Sequence, residues 1–323
     1  MRDICKVGSG EIIYHTPDSR LRGKILYKIC YALCIMTAII MDGRKIRDAL
    51  IPELIERVKA LSFELKLAII QVGDRPDSTS FIRAKRSFAK RIGVGERYIQ
   101  VPAAISQAEL LKIIRECNAD RSIHGIIVQL PLPASLDRDA VIDAIDPKKD
   151  VDALTAANVK YWLEGKEGSI MPATARGIRT LLKEYGIGLD GKKVAVVGRS
   201  MLVGKPIAAM CLNEGATVTI CHSKTADLAK ETKDADVIIV AAGKPKLIGA
   251  GQVRKEQAII DVGINTVVGE KLDDEIEGKK LVGDVDFDSV EGMVSAITPV
   301  PGGVGPMTVI SLFQNLIDLC VKM

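Results

Sequence analysis

Short apolar runs, each closed by a glycine or turn and each separated from the next by a stretch of helical period, constrain this chain more than any other feature. LKLAIIQVG (65–73), YIQVP (98–102), HGIIVQLPLP (124–133), KKVAVVG (192–198), ATVTICH (216–222), DVIIVAAG (236–243) and AIIDVGI (258–264) read as strands. Between them, residues 43–61 carry Ile46, Leu50, Leu54 and Val58 at helical spacing, with Pro52 near the start. Further helices are predicted over 78–92, 107–118 and 177–185, from about residue 204, and over 309–321. Strands alternating with helices specify an α/β fold with largely parallel sheets. A length of 323 residues exceeds one ordinary core and suits two domains. The pattern divides into a first α/β domain, 36–160, and a Rossmann-like unit, 161–298. The last apolar helix has no sheet ahead of it, so residues 299–323 are expected to pack back on the first domain.

Composition matters here for what it excludes. A formal net charge of +4, interspersed along the chain, gives no basic arm or aromatic-laced basic run for nucleic acid. The seven cysteines form no CxxC pair and are odd in number, which points to reduced thiols in the cytoplasm. Three scattered histidines, His15, His124 and His222, make no metal site, so none is expected. Residues 1–35 carry six Lys or Arg and lead into the apolar run ILYKICYALCIMTAIIM (25–41). With no small-residue cleavage site, and being short for a span, this run does not predict a membrane protein. Its end, TAIIMDG, reads as the first strand and turn of the domain that follows. The expectation is a natural start at Met36, with residues 1–35 an upstream extension.

VVGRSMLVGKP (196–206) lies after a strand and before a helix, where a dinucleotide turn belongs. Its glycines are Gly198 and Gly204, not a GxGxxG, but they still allow a tight turn facing a helix amino terminus that attracts phosphate. Arg199 and Ser200 occupy the turn. The end of the next strand normally holds an acid for the ribose hydroxyls of NAD. Here it reads Cys221-His222-Ser223-Lys224. Arginine, hydroxyl and lysine without a carboxylate are what a 2′-phosphate requires, so the expected cofactor is NADP.

In DSTSFIRAKR (77–86), helical geometry puts Ser78, Phe81 and Lys85 on one face with Phe88, while Arg83, Arg86 and Lys90 point away. Taken alone, Lys85 reads as a snorkelling side chain on an amphipathic helix.

The order of HGIIVQLPLP, KDVDAL (149–154), GRSMLVGKP, CHSKT (221–225), DVGIN (261–265), GDVDF (283–287) and TPVPGGVGPMT (298–308) resembles the bifunctional methylenetetrahydrofolate dehydrogenase/methenyltetrahydrofolate cyclohydrolase (FolD) family from about Met36 onward. The resemblance implies two domains, a small α/β folate-binding catalytic domain and a Rossmann-like NADP-binding domain, with the active-site cleft between them. It implies oxidation of 5,10-methylenetetrahydrofolate with NADP and hydrolysis of the methenyl product to 10-formyltetrahydrofolate. That product places the chain in one-carbon metabolism and purine biosynthesis. A cytoplasmic homodimer is expected, with a small folate as partner and neither nucleic acid nor membrane. By resemblance, Lys85 is the proton carrier of the hydrolysis, Gln129 its partner and Asp152 the anchor of the pterin, while Asp150 holds the loop. Ser78, Phe81, Pro301, Gly302 and Gly303 are expected around the folate. Gly198, Arg199, Ser200, Gly204, His222, Ser223, Thr174 and Ile264 are expected around the cofactor.

Three departures from the family pattern bear on activity. Phe81 stands where the family has tyrosine, keeping the ring that stacks on the pterin and losing its hydroxyl. PATARG (172–177) replaces PCTPxG, with Ala173 and Ala175 in place of Cys and Pro. KDVDA replaces KDVDG, read here as a small change. Hydride transfer needs no hydroxyl and should survive all three. The cyclohydrolase is the exposed activity, and the alternatives are a mainly dehydrogenase enzyme or, remotely, a non-catalytic folate- or NADP-binding homologue.

Overall fold

The computed structural model describes residues 3–7, 10–14, 38–268 and 279–321. The chain forms two compact units, 1–37 and 38–323. In the first unit, strand β1 (Asp3–Val7) pairs antiparallel with β2 (Gly10–Tyr14), from Asp3 opposite Tyr14 to Val7 opposite Gly10. The apolar run up to residue 37 and the candidate start Met36 lie outside the described residues.

The second unit opens with β3 (Ile39–Ile40) and helix α1 (Gly43–Lys59). Asp42 caps that helix, its Oδ1 accepting from the amides of Arg44 at 2.8 Å and Lys45 at 3.2 Å. Then come β4 (Lys66–Val72), α2 (Pro76–Ile92), β5 (Gly95–Val101), α3 (Gln107–Ala119) and β6 (Gly125–Val128). Helix α2 starts with Pro76, whose fixed φ suits a first turn, and stops at Gly93 with φ 78°. The strands form a parallel sheet in the order β5-β4-β6. Six of the seven residues of β4 and all four of β6 are buried, which is why these runs carry no polar alternation. The sequence HGIIVQLPLP is strand only to Val128; beyond it the chain turns through a cis Leu130–Pro131 bond and, with no proline N–H to give, leaves the ladder.

Helices α4 (Arg138–Asp143), α5 (Ala156–Leu163) and α6 (Ala173–Glu184) lead to the second sheet. Helix α6 begins four residues before the predicted 177, so PATARG lies in its first turns, with Ala173 and Ala175 fully in the core. There follow β7 (Lys193–Val197), α7 (Gly204–Asn213), β8 (Thr217–Cys221), α8 (Leu228–Asp234), β9 (Val237–Val240) and β10 (Ala258–Asp261). A hairpin of β11 (Asn265–Val268) and β12 (Lys279–Val282) comes next, then α9 (Phe287–Val290), β13 (Ala296–Ile297) and α10 (Val304–Val321). The second sheet is parallel, in the order β3-β13-β10-β9-β7-β8. Thus Ile39–Ile40, which reads as the opening strand of the first domain, extends the second sheet instead.

The last helix begins at Val304, five residues before the predicted 309. Gly305 and Pro306 fall in its first turn, where a missing N–H is harmless. It packs on α6, α1 and α2, and Phe313 meets Phe88 with ring centroids 5.2 Å apart. Leu67, Ile178, Val196, Ile239 and Phe313 belong to one continuous buried cluster, so α6 and α10 weld the two sheets together.

Candidate active site

Helix α2 projects Lys85 toward the end of β6. Its Nζ donates to Gln129 Oε1 at 3.1 Å, while Gln129 Nε2 donates to the carbonyl of Leu130 at 2.7 Å. That second bond fixes the amide: reversing it would set oxygen against oxygen and donor against donor. The Lys85 side chain is half-buried, but its ammonium lies deep among protein atoms. Burial pushes its pKa below the usual lysine range, opposed by the charge of Asp152. Burial likewise pushes Asp152 up, opposed by Lys85, with Asp150 adding to the rise. The structure therefore brings Lys85, Gln129 and Asp152 together as one coupled cluster. Ser78, one of the expected folate residues, is buried in the first turn of α2.

Asp150 does hold the loop. Its Oδ2 accepts from the Thr155 amide at 2.8 Å and from Asn158 Nδ2 at 3.0 Å. Ala153, by contrast, has φ 56°, so the glycine-to-alanine departure is not small. A Cβ in left-handed backbone costs about 1 kcal/mol. Upstream, Asn315 of α10 donates through Nδ2 to the carbonyls of Val151 (2.9 Å) and Met171 (3.0 Å). Thr174 stands in the first turn of α6, beside Ala173, whose amide reaches the Asp152 carbonyl at 3.4 Å.

A cleft of about 890 Å³ opens beside this cluster, lined by Phe81, Phe88, Ile264 and the segment 299–306, with Arg44 and Arg47 also on its wall. Phe81 is 39% exposed, its ring open to a planar ligand. Pro301, Gly302 and Gly303 line the cleft; Lys85, Gln129 and Asp152 do not, although Ala84, next to Lys85, does. Gly302 has φ 125°, which requires glycine. A Cβ on Gly303 would stand 2.6 Å from Thr298 Cβ.

Gly198, Arg199, Ser200, Gly204, His222 and Ser223 follow β7 and β8, Thr174 lies on α6 and Ile264 follows β10; of these only Ile264 lines that cleft. Gly198 has φ 135°, and a Cβ there would strike the Ala241 carbonyl. On Gly204 it would fall 2.6 Å from the Gly198 carbonyl carbon. Ser200 Oγ accepts from the amides of Val203 (3.2 Å) and Gly204 (3.3 Å), bracing the turn from within. After β8, His222 Nδ1 accepts from the Lys224 amide at 3.1 Å, and the His222 amide donates to Thr225 Oγ1 at 2.8 Å. Arg199, Ser223 and Lys224 are exposed, and no carboxylate pairs with Arg199 or Lys224 among the described residues. This backbone cradle with its uncompensated cations fits a phosphorylated dinucleotide.

Sequence reasoning missed the buried acids beneath this region. Asp261 Oδ1 accepts from Gly263 (2.9 Å) and Asp284 (3.0 Å), and its Oδ2 from Val285 (2.9 Å). Asp284 Oδ2 accepts from Ala242 (2.7 Å) and Gly243 (2.8 Å), and its Oδ1 from Asn265 Nδ2 (2.8 Å). The two carboxylates tie three loops into one floor. The signal was present in DVGIN and GDVDF, where a glycine lies within two residues of each acid. On Gly263 a Cβ would meet the Asp284 carboxyl, and on Gly283 that of Asp261.

Two family models match. The tetrahydrofolate dehydrogenase/cyclohydrolase catalytic domain covers residues 41–152, and the NAD(P)-binding domain of the same family covers 172–323. "Bifunctional protein FolD" of Exiguobacterium sibiricum is 45% identical over 284 residues, covering 87% of this chain and 99% of that protein. Its counterpart in Bacillus subtilis is 44% identical over 286 residues, covering 87% and 97%. Among solved structures, the bifunctional FolD enzyme of Campylobacter jejuni superposes with TM-score 0.82 at 40% identity, covering 88% of this chain and all of that one (100%). The Trypanosoma brucei FolD, solved with NADP and an inhibitor, gives 0.83 at 35% identity, covering 88% and 98%.

Proposed function

The chain belongs to the tetrahydrofolate dehydrogenase/cyclohydrolase family, and from that premise we infer how its residues divide the work. It is an NADP-dependent methylenetetrahydrofolate dehydrogenase and methenyltetrahydrofolate cyclohydrolase. The observation that carries the assignment of residues is the Lys85–Gln129 bond of 3.1 Å, within the field of Asp152 and one helical turn from the open ring of Phe81.

For hydride transfer the chain supplies position. NADP, when bound, supplies the hydride acceptor. The carbon that loses hydride lies between two nitrogens whose lone pairs stabilise the cation, so no protein base is needed. Asp152 would take the two N–H donors of the pterin's aminopyrimidinone edge, Phe81 would stack on the ring, and Pro301-Gly302-Gly303 would let backbone approach it closely. Gly198, Ser200 and Gly204 would hold the dinucleotide turn, with Arg199, His222, Ser223 and Lys224 at the 2′-phosphate and Thr174 and Ile264 further along. Hydrolysis requires water to lose a proton as it attacks the amidinium carbon, and the ring nitrogen to gain one as it opens. Lys85 in its lowered range can take the first proton and return it. Gln129 Oε1 holds the lysine in place, and no step requires the hydroxyl that Phe81 lacks.

We further propose a homodimer, a cytoplasmic location and supply of formyl groups to purine biosynthesis. The dimer is supported by β8, an edge strand with Ile220 42% and Leu212 of the adjoining helix 63% exposed. The cytoplasm is supported by the free thiols of Cys117, Cys211, Cys221 and Cys320.

The purified protein given methylenetetrahydrofolate should reduce NADP faster than NAD, and given methenyltetrahydrofolate alone should hydrolyse it faster than buffer does. No reduced cofactor with either nucleotide sinks the dehydrogenase. Methenyl decay at the buffer rate sinks the cyclohydrolase and leaves the mainly dehydrogenase alternative. Equal rates with NAD overturn the phosphate roles of Arg199 and Ser223.

A further inference from the structure

We propose that Asn315, on the terminal helix, is a positioning residue that aims the Asp152 carboxylate at the substrate, an inference that rests on Asp152 being the folate anchor. Asp152 occupies a loop that Asp150 braces only beyond the anchor, at Thr155 (2.8 Å) and Asn158 (3.0 Å). The residue after it, Ala153, sits at φ 56°, a conformation an alanine abandons when nothing constrains it. The backbone bonds around the anchor are long, 3.3 Å from the Ala153 amide to the Asp150 carbonyl and 3.4 Å from the Ala173 amide to the Asp152 carbonyl.

The side-chain bonds that hold the anchor's own flank come from Asn315, at 2.9 and 3.0 Å. It is fully buried, and its Nδ2 donates to the carbonyl of Val151, immediately before the anchor, and to that of Met171, just ahead of α6. The amide cannot turn over, because its Oδ1 accepts from Arg176 Nη1 at 2.7 Å. The same Nη1 donates to Asp318 Oδ2 at 2.6 Å, and Asp318 Oδ1 accepts from Arg57 Nη2 at 2.6 Å. Two arginines and an aspartate thus orient one amide, whose two hydrogens pin the segments on either side of the pterin anchor. A donor with both hydrogens committed to separate backbone carbonyls, in a wholly buried place, fixes their spacing as no apolar side chain can. Since Asp152 acts electrostatically on Lys85, a shift of the loop reaches both activities.

Asn315→Asp tests this with no change of shape. It keeps the oxygen that faces Arg176 and puts an acceptor against two carbonyls. The expected result is a KM for methylenetetrahydrofolate raised about tenfold, a KM for NADP unchanged, and a slower cyclohydrolase. Asn315→Ser, whose hydroxyl can reach at most one carbonyl, is the second variant should Asn315→Asp not fold, and should shift the folate KM in the same direction. Adding Ala153→Gly, which removes the backbone strain, should restore much of the folate KM. A folded variant with an unchanged folate KM overturns the proposal. So does a joint rise of both KM values with a fall in Tm that Ala153→Gly does not reverse, which marks a merely structural role. Wild-type turnover and the folate KM of Asp152→Asn are measured alongside. If the latter is unchanged, it is the anchor reading that fails, whatever Asn315 does.

Discussion

Lys85 is a cation kept where water is scarce, and its company decides what it can do. Burial lowers its pKa and the Asp152 charge moderates the effect, so its neutral form is reached at lower pH than for an exposed lysine. If that neutral amine takes the proton from water, the cyclohydrolase rate rises with pH through the lowered pKa and then levels. A pH–rate profile that is flat or falls over this range would contradict the role. Lys85→Met should reduce hydrolysis by about a hundred- to ten-thousandfold, the usual worth of a positioned proton carrier. Dehydrogenation, which moves no proton through the lysine, should persist in that variant under the same assay. Ala153 makes the other prediction at this scale. Ala153→Gly relieves the left-handed strain, partly offset by the greater freedom of glycine in the unfolded chain. A net gain of about 0.5–1 kcal/mol in urea unfolding is expected; a loss would show that φ 56° is no burden here.

Helix α6 and helix α10 approach so closely that only hydrogen fits between them at Gly177. A Cβ there would lie 2.8 Å from the carbonyl carbon and 2.9 Å from the carbonyl oxygen of Met307, and backbone cannot step aside as a side chain does. Gly177→Ala should destabilise by about 1–3 kcal/mol, as overpacking does, and a Tm equal to wild type would refute the close packing. The loop floor titrates. Burial pushes Asp261 up to about 6, well above the usual carboxylate range, against three backbone N–H groups that pull it down and with Asp284 adding to the rise. A raised carboxyl pKa means stability that is fully present below the unfolded pKa and lost as pH climbs through the folded one. Relative to Asp261→Asn, the wild type should therefore lose on the order of 2–3 kcal/mol between about pH 4 and pH 7. Paired denaturant titrations at several pH values read this directly, and a constant difference would refute it.

At the scale of the molecule, β8 is one of the two edges of the second sheet, with Ile220 exposed and Leu212 exposed on the adjoining helix. If this edge carries the homodimer we propose, Ile220→Lys should leave a folded, monomeric protein by light scattering, and a mass unchanged from wild type would exclude the edge from that interface. The sequence alone determined the α/β class, because apolar runs bounded by glycines leave few alternatives to buried parallel strands. It also determined the nucleotide turn and the face shared by Lys85 and Phe81, because a dinucleotide turn and a helix turn are local and their spacing is written in the chain. Tertiary structure decided what depends on residues far apart. Ile39–Ile40 joined the second sheet because Ala296–Ile297 offers it a partner, a choice no local propensity encodes. The last helix took in Gly305 and Pro306 because its first turn tolerates both, although their composition reads as loop. Ala153 reads as interchangeable with glycine from sequence, whereas its backbone has a positive φ, and no local pattern marks the role of Asn315, a polar residue on an apolar helix. Its two carbonyl partners lie 164 and 144 residues away, so only the packed molecule could show what its amide holds.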